Sequence, residues 1–184
     1  MTKKPVKVWC IVICLILIAC VAATLIIPMF SLKIDSGGIS GDYVNVTGLD
    51  MLNTLFGQDY ASASEGTKQL LTFIGKGATD YSQYINPIYI NIMLYTYAIS
   101  LGLATLMLIF SLFNLCGYRM SVFNVLAGLL ILLSGIIIVG GIILQNRERI
   151  ANAVVDYDFR LSYGAIALLV IGFIYMMFAP KKRV

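Results

Sequence analysis

Four long apolar runs and one long polar segment set the pattern of this chain. Residues 8–30, 87–115, 120–144 and 162–179 carry no formal charge. A helix rising 1.5 Å per residue needs about 20 residues to cross a hydrocarbon core about 30 Å thick. Each run therefore predicts a spanning helix, the fourth near the short end of the range. The segments between them, 31–86 and 145–161, have other periods. Phe30, Leu32 and Ile34 alternate with Ser31 and Lys33, which is a strand signal. Ser36-Gly37-Gly38 and Ser40-Gly41-Asp42 are turn signals, and Tyr43 to Thr47 is rich in β-formers and reads as a returning strand. Val155, Tyr157, Phe159 and Leu161 alternate with Asp156, Asp158 and Arg160 and predict one more strand. Between the strands the period turns helical at Leu49, Leu52, Leu55 and Phe56, and Gly57 ends the turn. Ser62-x-x-Glu65 has the pattern of a capping box. It predicts a second short helix carrying Leu70, Leu71 and Ile74, with Gly75 or Gly77 as its stop. Asn86-Pro87 supplies a cap and a first-turn proline for the second span.

Composition agrees with a bilayer. The chain has 184 residues, 60% hydrophobic and 12% charged, against roughly a quarter charged in soluble domains. It reads as a single membrane domain over 1–184. Charge then gives direction. Lys3, Lys4, Lys7, Arg119, Lys181, Lys182 and Arg183 lie on one side with no acid, whereas the other side holds six basic residues and nine acids. The positive-inside rule predicts a multi-pass protein of the cell membrane with both termini cytoplasmic. Leu17-Ile18-Ala19-Cys20 also fits a lipoprotein cleavage signal that would make Cys20 a lipidated first residue. The apolar run continues through Met29, so an uncleaved helix is the expectation.

Candidate chemistry is sparse. All 22 formal charges fall outside the spans, which argues against a proton relay or a voltage sensor. The chain has no histidine, which excludes a Ser-His-Asp triad and removes the commonest metal ligand. Cys10, Cys14, Cys20 and Cys116 all lie outside the long polar segment, so no disulfide framework is expected there. Asp35 and Asp42 flank a glycine turn but lack the spacing of a calcium loop and read as turn residues. Nothing points to a cofactor, a metal, nucleic acid or a small-molecule substrate, and no enzymatic activity is expected. Small residues form the clearest pattern. Ala127, Ser134 and Gly141 recur every seven residues, with Gly128 and Gly135 beside them. Such stripes let helix backbones approach, within the bundle as the first expectation and against a partner helix as the second. The candidate interaction residues are therefore Tyr43, Val46, Leu49, Leu52 and Phe56 in the outer segment and Gly128, Ser134, Gly135 and Gly141 in the third span. So short a polar segment cannot bury enough surface alone. Leu49, Leu52 and Phe56 are expected to anchor it on the helices.

The order of these parts resembles the claudin architecture: four spans, a long first outer loop with β-character, a tight inner turn and a shorter second outer loop. The tryptophan pair and two loop cysteines of claudins are missing; the one tryptophan is Trp9. Junction sealing is therefore not implied. Pro28-Met29-Phe30-Ser31, then Val46-Thr47-Gly48-Leu49-Asp50-Met51-Leu52 and Phe56-Gly57, resemble a pattern in small four-span membrane proteins of Gram-positive bacteria. The expected fold is an all-α membrane protein, a four-helix transmembrane bundle with a small extracellular β-containing cap. The expected function is that of a non-enzymatic interaction or assembly subunit. Its partners would be the lipid bilayer and another membrane protein or a second copy. The alternative is a small channel or an accessory subunit of a transporter.

Overall fold

The apolar runs become helices, with one early stop. A computed structural model describes residues 8–36, 39–79, 82, 85–115, 121–147 and 155–178. Along the chain these form α1 (Val8–Ala23), β1 (Pro28–Ser36), β2 (Ile39–Ser40), β3 (Val44–Thr47), α2 (Gly48–Leu55), α3 (Glu65–Phe73), α4 (Pro87–Leu115), α5 (Ser121–Arg147), β4 (Val155–Leu161) and α6 (Tyr163–Phe178). The expected first span ran to residue 30, but α1 ends at Ala23. Pro28 has no N–H to continue a helix and disfavours helical backbone at the residue before it. The Thr24 hydroxyl donates to the Val21 carbonyl at 2.6 Å, and Pro28 and Met29 enter β1 instead. Helix α5 runs to Arg147, three residues past the expected 144. The seven basic residues of the inner side, Cys116 and the turn glycines Gly37 and Gly38 lie outside the described residues.

The fold is mostly helical. Helix α1 packs on α4 and α6, and α5 packs on the same two, so the four apolar helices close into a ring. Two stretches, Pro87–Phe110 and Val125–Arg147, are long and apolar enough to cross a membrane. Val12–Ala23 and Tyr163–Met177 are shorter apolar helices.

A four-stranded sheet sits at one end of the ring. Strand β1 is its centre. Along one edge β4 pairs antiparallel from Phe30↔Leu161 to Ser36↔Val155. The other edge is shared end to end by β3 (Phe30↔Val46) and β2 (Asp35↔Ser40). The expected alternation holds at Phe30, Leu32, Tyr157 and Phe159, which are buried, whereas Ile34 is half-buried and Leu161, at the strand end, is exposed. An irregularity between Pro28 and Phe30 turns Met29 inward as well. Phe73 of α3 lies 6.0 Å from Phe159 and 6.1 Å from Tyr157, and Phe30 lies 5.7 Å from Phe159, measured between ring centroids. This aromatic core, closed by α3, lets so short a cap fold on the helix ends.

Candidate functional site: the cap

The outward face of the sheet is polar and ordered. Register places Lys33 opposite Asp158 and Ser31 opposite Arg160. Tyr43, just before β3, lies across them. Its phenol donates to Asp158 Oδ2 at 2.5 Å. The Arg160 guanidinium carbon stands 3.9 Å from the centre of its ring and Lys33 Nζ 5.9 Å. Lys33 pairs with Asp35 at 3.0 Å and Arg160 with Asp158 at 3.3 Å. Asp35 also accepts from the Gly41 N–H at 2.9 Å, which is the turn role expected of it. The hydrogen bond to Asp158 raises the Tyr43 phenol above its usual pKa, and desolvation adds to it. Exposed ion pairs contribute little stability. Their effect here is to hold Tyr43 in one orientation.

On the side of β4 away from β1, a helix residue meets the strand. The Asn146 side chain, near the end of α5, donates to the Phe159 carbonyl at 2.6 Å and accepts from the Phe159 N–H at 2.9 Å. The next outward N–H along the strand, that of Tyr157, goes to Asp156 Oδ1 at 2.9 Å.

Beside the sheet, one carboxylate joins the two short helices. Asp50 is buried. Its Oδ2 accepts from the Thr47 N–H and hydroxyl, both at 2.8 Å. Its Oδ1 accepts from the Ser64 hydroxyl and, at 3.1 Å, from the Thr67 hydroxyl. Thr47-x-x-Asp50 is a complete capping box for α2, and the same carboxylate ties in the start of α3. The predicted box at Ser62-x-x-Glu65 is corrected: Ser64 is the cap, accepting from the Thr67 N–H at 3.2 Å. The first N–H groups of α2 find partners in the turn just after α1, Gly48 on the Thr24 carbonyl at 3.2 Å and Leu49 on that of Leu25 at 2.9 Å. Gly48 has no room for a side chain, because a Cβ there would collide with the Tyr97 hydroxyl. That hydroxyl lies 2.9 Å from Thr24 Oγ1.

No family model matches this chain, and no curated protein matches it. The site therefore rests on its own geometry. Among the residues predicted from sequence, Tyr43 is half-buried on the outward face. Val46 is buried beneath the sheet and is a core residue, not a contact surface. The expected anchoring by Leu49, Leu52 and Phe56 is corrected. Leu49 is 51% exposed and Phe56 79%, and of the three only Leu52 packs partly against the core. Gly48, Asp50, Met51 and Thr54 turn inward instead, because the capping box and the close approach of Gly48 to Tyr97 fix the rotation of α2. Gly128, Ser134, Gly135 and Gly141 are all buried between helices. A Cβ on Gly135 would lie 2.9 Å from the Leu169 backbone nitrogen, one on Gly128 3.1 Å from the Tyr175 ring, and one on Gly141 2.8 Å from Met93 Sδ. The stripe thus serves packing of α5 on α6 and α4, which was the first expectation for it. The sequence reading overlooked Asp50 as a hub, although Thr47-x-x-Asp50 carries the pattern, and it overlooked Asn146.

Proposed function

We propose that this chain is a four-span protein of the cell membrane with a claudin-like layout and cytoplasmic termini. It acts without enzymatic chemistry as an interaction or assembly subunit and offers its cap to a partner outside the membrane. Two helices of membrane-crossing length, with two shorter apolar helices in the same ring, support the span count. The excess of basic residues on one side supports the orientation. The observation that carries the functional reading is Tyr43, fixed on the open face of the sheet by Asp158, Arg160 and Lys33. Tyrosine and arginine dominate binding hot spots, and a side chain already ordered loses less entropy on binding. The partner is another membrane protein, or a second copy, with polar groups that match this mixed-charge face.

The test is photocrosslinking in intact cells from a reactive residue placed at Asn45, on the same face, with one at Leu133 on the exposed side of α5 as a control. A discrete protein adduct from position 45, lost in Tyr43→Ala and absent from position 133, is the expected result. An adduct pattern that Tyr43→Ala leaves unchanged, together with lost ion or solute passage in vesicles, would favour the transport alternative.

A further inference from the structure

Helix α2 is amphipathic the wrong way round for water. Its one charged residue, Asp50, and Thr54 are buried and hydrogen-bonded, while Leu49 and Phe56 face outward. Just before β1, Ile26 is also 80% exposed. Ile26 and Leu49 share one height along the bundle, since the Leu49 N–H bonds to the Leu25 carbonyl. The α2 N–H groups of Gly48 and Leu49 bond to the Thr24 and Leu25 carbonyls in the turn that follows α1, and Gly48 rests on Tyr97. Tyr97 lies ten residues into α4, about 15 Å below the helix start at 1.5 Å per residue. From Tyr97 to the end of α4 at Leu115 the same rise gives about 27 Å, close to one hydrocarbon thickness. Helix α6 begins at this height too, because Gly164 sits against Pro28 and Met29 at the start of β1. Two exposed tyrosines mark the same level, Tyr95 on α4 and Tyr163, 82% exposed, on α6. Exposed aromatics gathered at one height are characteristic of a membrane–water boundary.

We infer that α2 lies in the outer boundary of the bilayer, with Leu49, Phe56 and Ile26 among the lipid chains and headgroups and Asp50 turned toward the protein. This rests on the membrane reading above. It moves the outer boundary down from Pro87, where the sequence pattern places the start of the second span, to the level of Tyr95 and Tyr97. The first turns of α4, with Ile88 and Ile92 exposed, then stand above the hydrocarbon. Lipid is favoured over a protein partner because the face is free of charge and continues the exposed apolar surface at the end of α1. A half-immersed helix of this kind sets the depth and tilt of the cap.

The experiment uses the full chain with Trp9→Phe, reconstituted in phosphatidylcholine vesicles, and one new tryptophan at a time: Phe56→Trp, Leu49→Trp, Asn45→Trp and Leu133→Trp. Tryptophan fluorescence is quenched by phosphatidylcholines brominated at shallow or deep acyl positions, and separately by aqueous iodide. Positions 56 and 49 are expected to be quenched several-fold more by shallow than by deep bromine, position 133 by deep bromine, and position 45 by iodide alone. Iodide quenching without bromolipid quenching at both 49 and 56 would overturn the proposal. Protection of both from either quencher would overturn it in favour of a second protein chain on this face. Failure of bromolipid to reach position 133 would instead overturn the membrane reading itself.

Discussion

Gln145 is the side chain whose surroundings fit it least. It is fully buried in the last turn of α5, and neither its Nε2 nor its Oε1 has a hydrogen-bond partner among the described residues. A buried amide left unpaired costs about 1–3 kcal/mol. Gln145→Leu, of similar size, is therefore expected to raise the melting temperature in detergent by a few degrees, since about 1 kcal/mol corresponds to about 2–4 °C at this chain length. A lower melting temperature would show that the amide stabilises the fold. Tyr43 gives a pH dependence. Its pKa in the folded chain lies above the ordinary tyrosine value because its proton is donated to Asp158. The contact therefore contributes fully below the ordinary tyrosine pKa, about 10, and is lost as pH rises through the raised value. In absorbance titration at alkaline pH, Asp158→Asn is expected to make one tyrosine titrate earlier than it does in the parent chain. An unchanged titration curve in that variant would contradict the hydrogen bond.

At the level of elements, the chain's own pattern states most of what forms. Strand alternation at Phe30, Leu32 and Ile34 and at Tyr157 and Phe159 is legible because one face of each strand must be buried. The stop of α3 is legible in Gly75, which adopts φ 74°, a backbone that favours glycine. The end of α1 is harder to see, because Ile26 and Ile27 are as apolar as the helix before them. Which face of α2 turns inward is not legible from its period. Periodicity says that Leu49, Leu52 and Phe56 share a side. It does not say whether that side meets protein or lipid, and tertiary hydrogen bonds to Asp50 decide the matter. The glycine stripe shows the same limit, since small residues announce close packing without naming the neighbour. Two substitutions separate the kinds of glycine. Gly135→Leu must push against the Leu169 backbone, whereas a Cβ on Gly140 meets nothing within 4 Å. Overpacking at Gly135 is expected to cost at least about 1–3 kcal/mol and to lower the yield of monodisperse protein. Gly140→Ala is expected to be neutral or slightly stabilising, because alanine is the better helix former. Equal behaviour of the two on size-exclusion chromatography would refute the packing assigned to the stripe.

For the whole molecule, the unequal helix lengths place the cap. Helices α1 and α6 are each 16 residues long, and α4 and α5 are 29 and 27. The sheet rests against the start of α6 and the end of α5. Apolar run lengths foretell four helices but not this arrangement, because the register between helices is set by glycine contacts that no single run contains. Orientation is a separate matter, carried by charge. In a variant whose four native cysteines are replaced by alanine, Asp59→Cys and Lys76→Cys are expected to react with a membrane-impermeant maleimide on intact cells, and Lys182→Cys only after lysis. Labelling of all three from outside would refute cytoplasmic termini and the even span count together.

The three residues by which α5 outruns its apolar segment limit the growth of the sheet. An open strand edge can be lengthened by any extended chain that reaches it, including the same strand of a neighbouring copy. Here the end of a helix occupies that position. Asn146 takes the donor and acceptor that a fifth strand would have used at Phe159, so the number of strands is capped by the length of α5. Pairing of two caps through β4 at Phe159 would require the helix end to let go first. Asn146→Ala is expected to leave folding of the helices intact while making purified protein associate with rising concentration, detectable by light scattering and by a gain in β-sheet circular dichroism. A variant that stays monodisperse at every concentration would show that the edge is closed by some other means. In the function proposed here, a partner would then meet the cap face-on, at Tyr43, and specificity would rest on side chains rather than on backbone pairing that any sequence can supply.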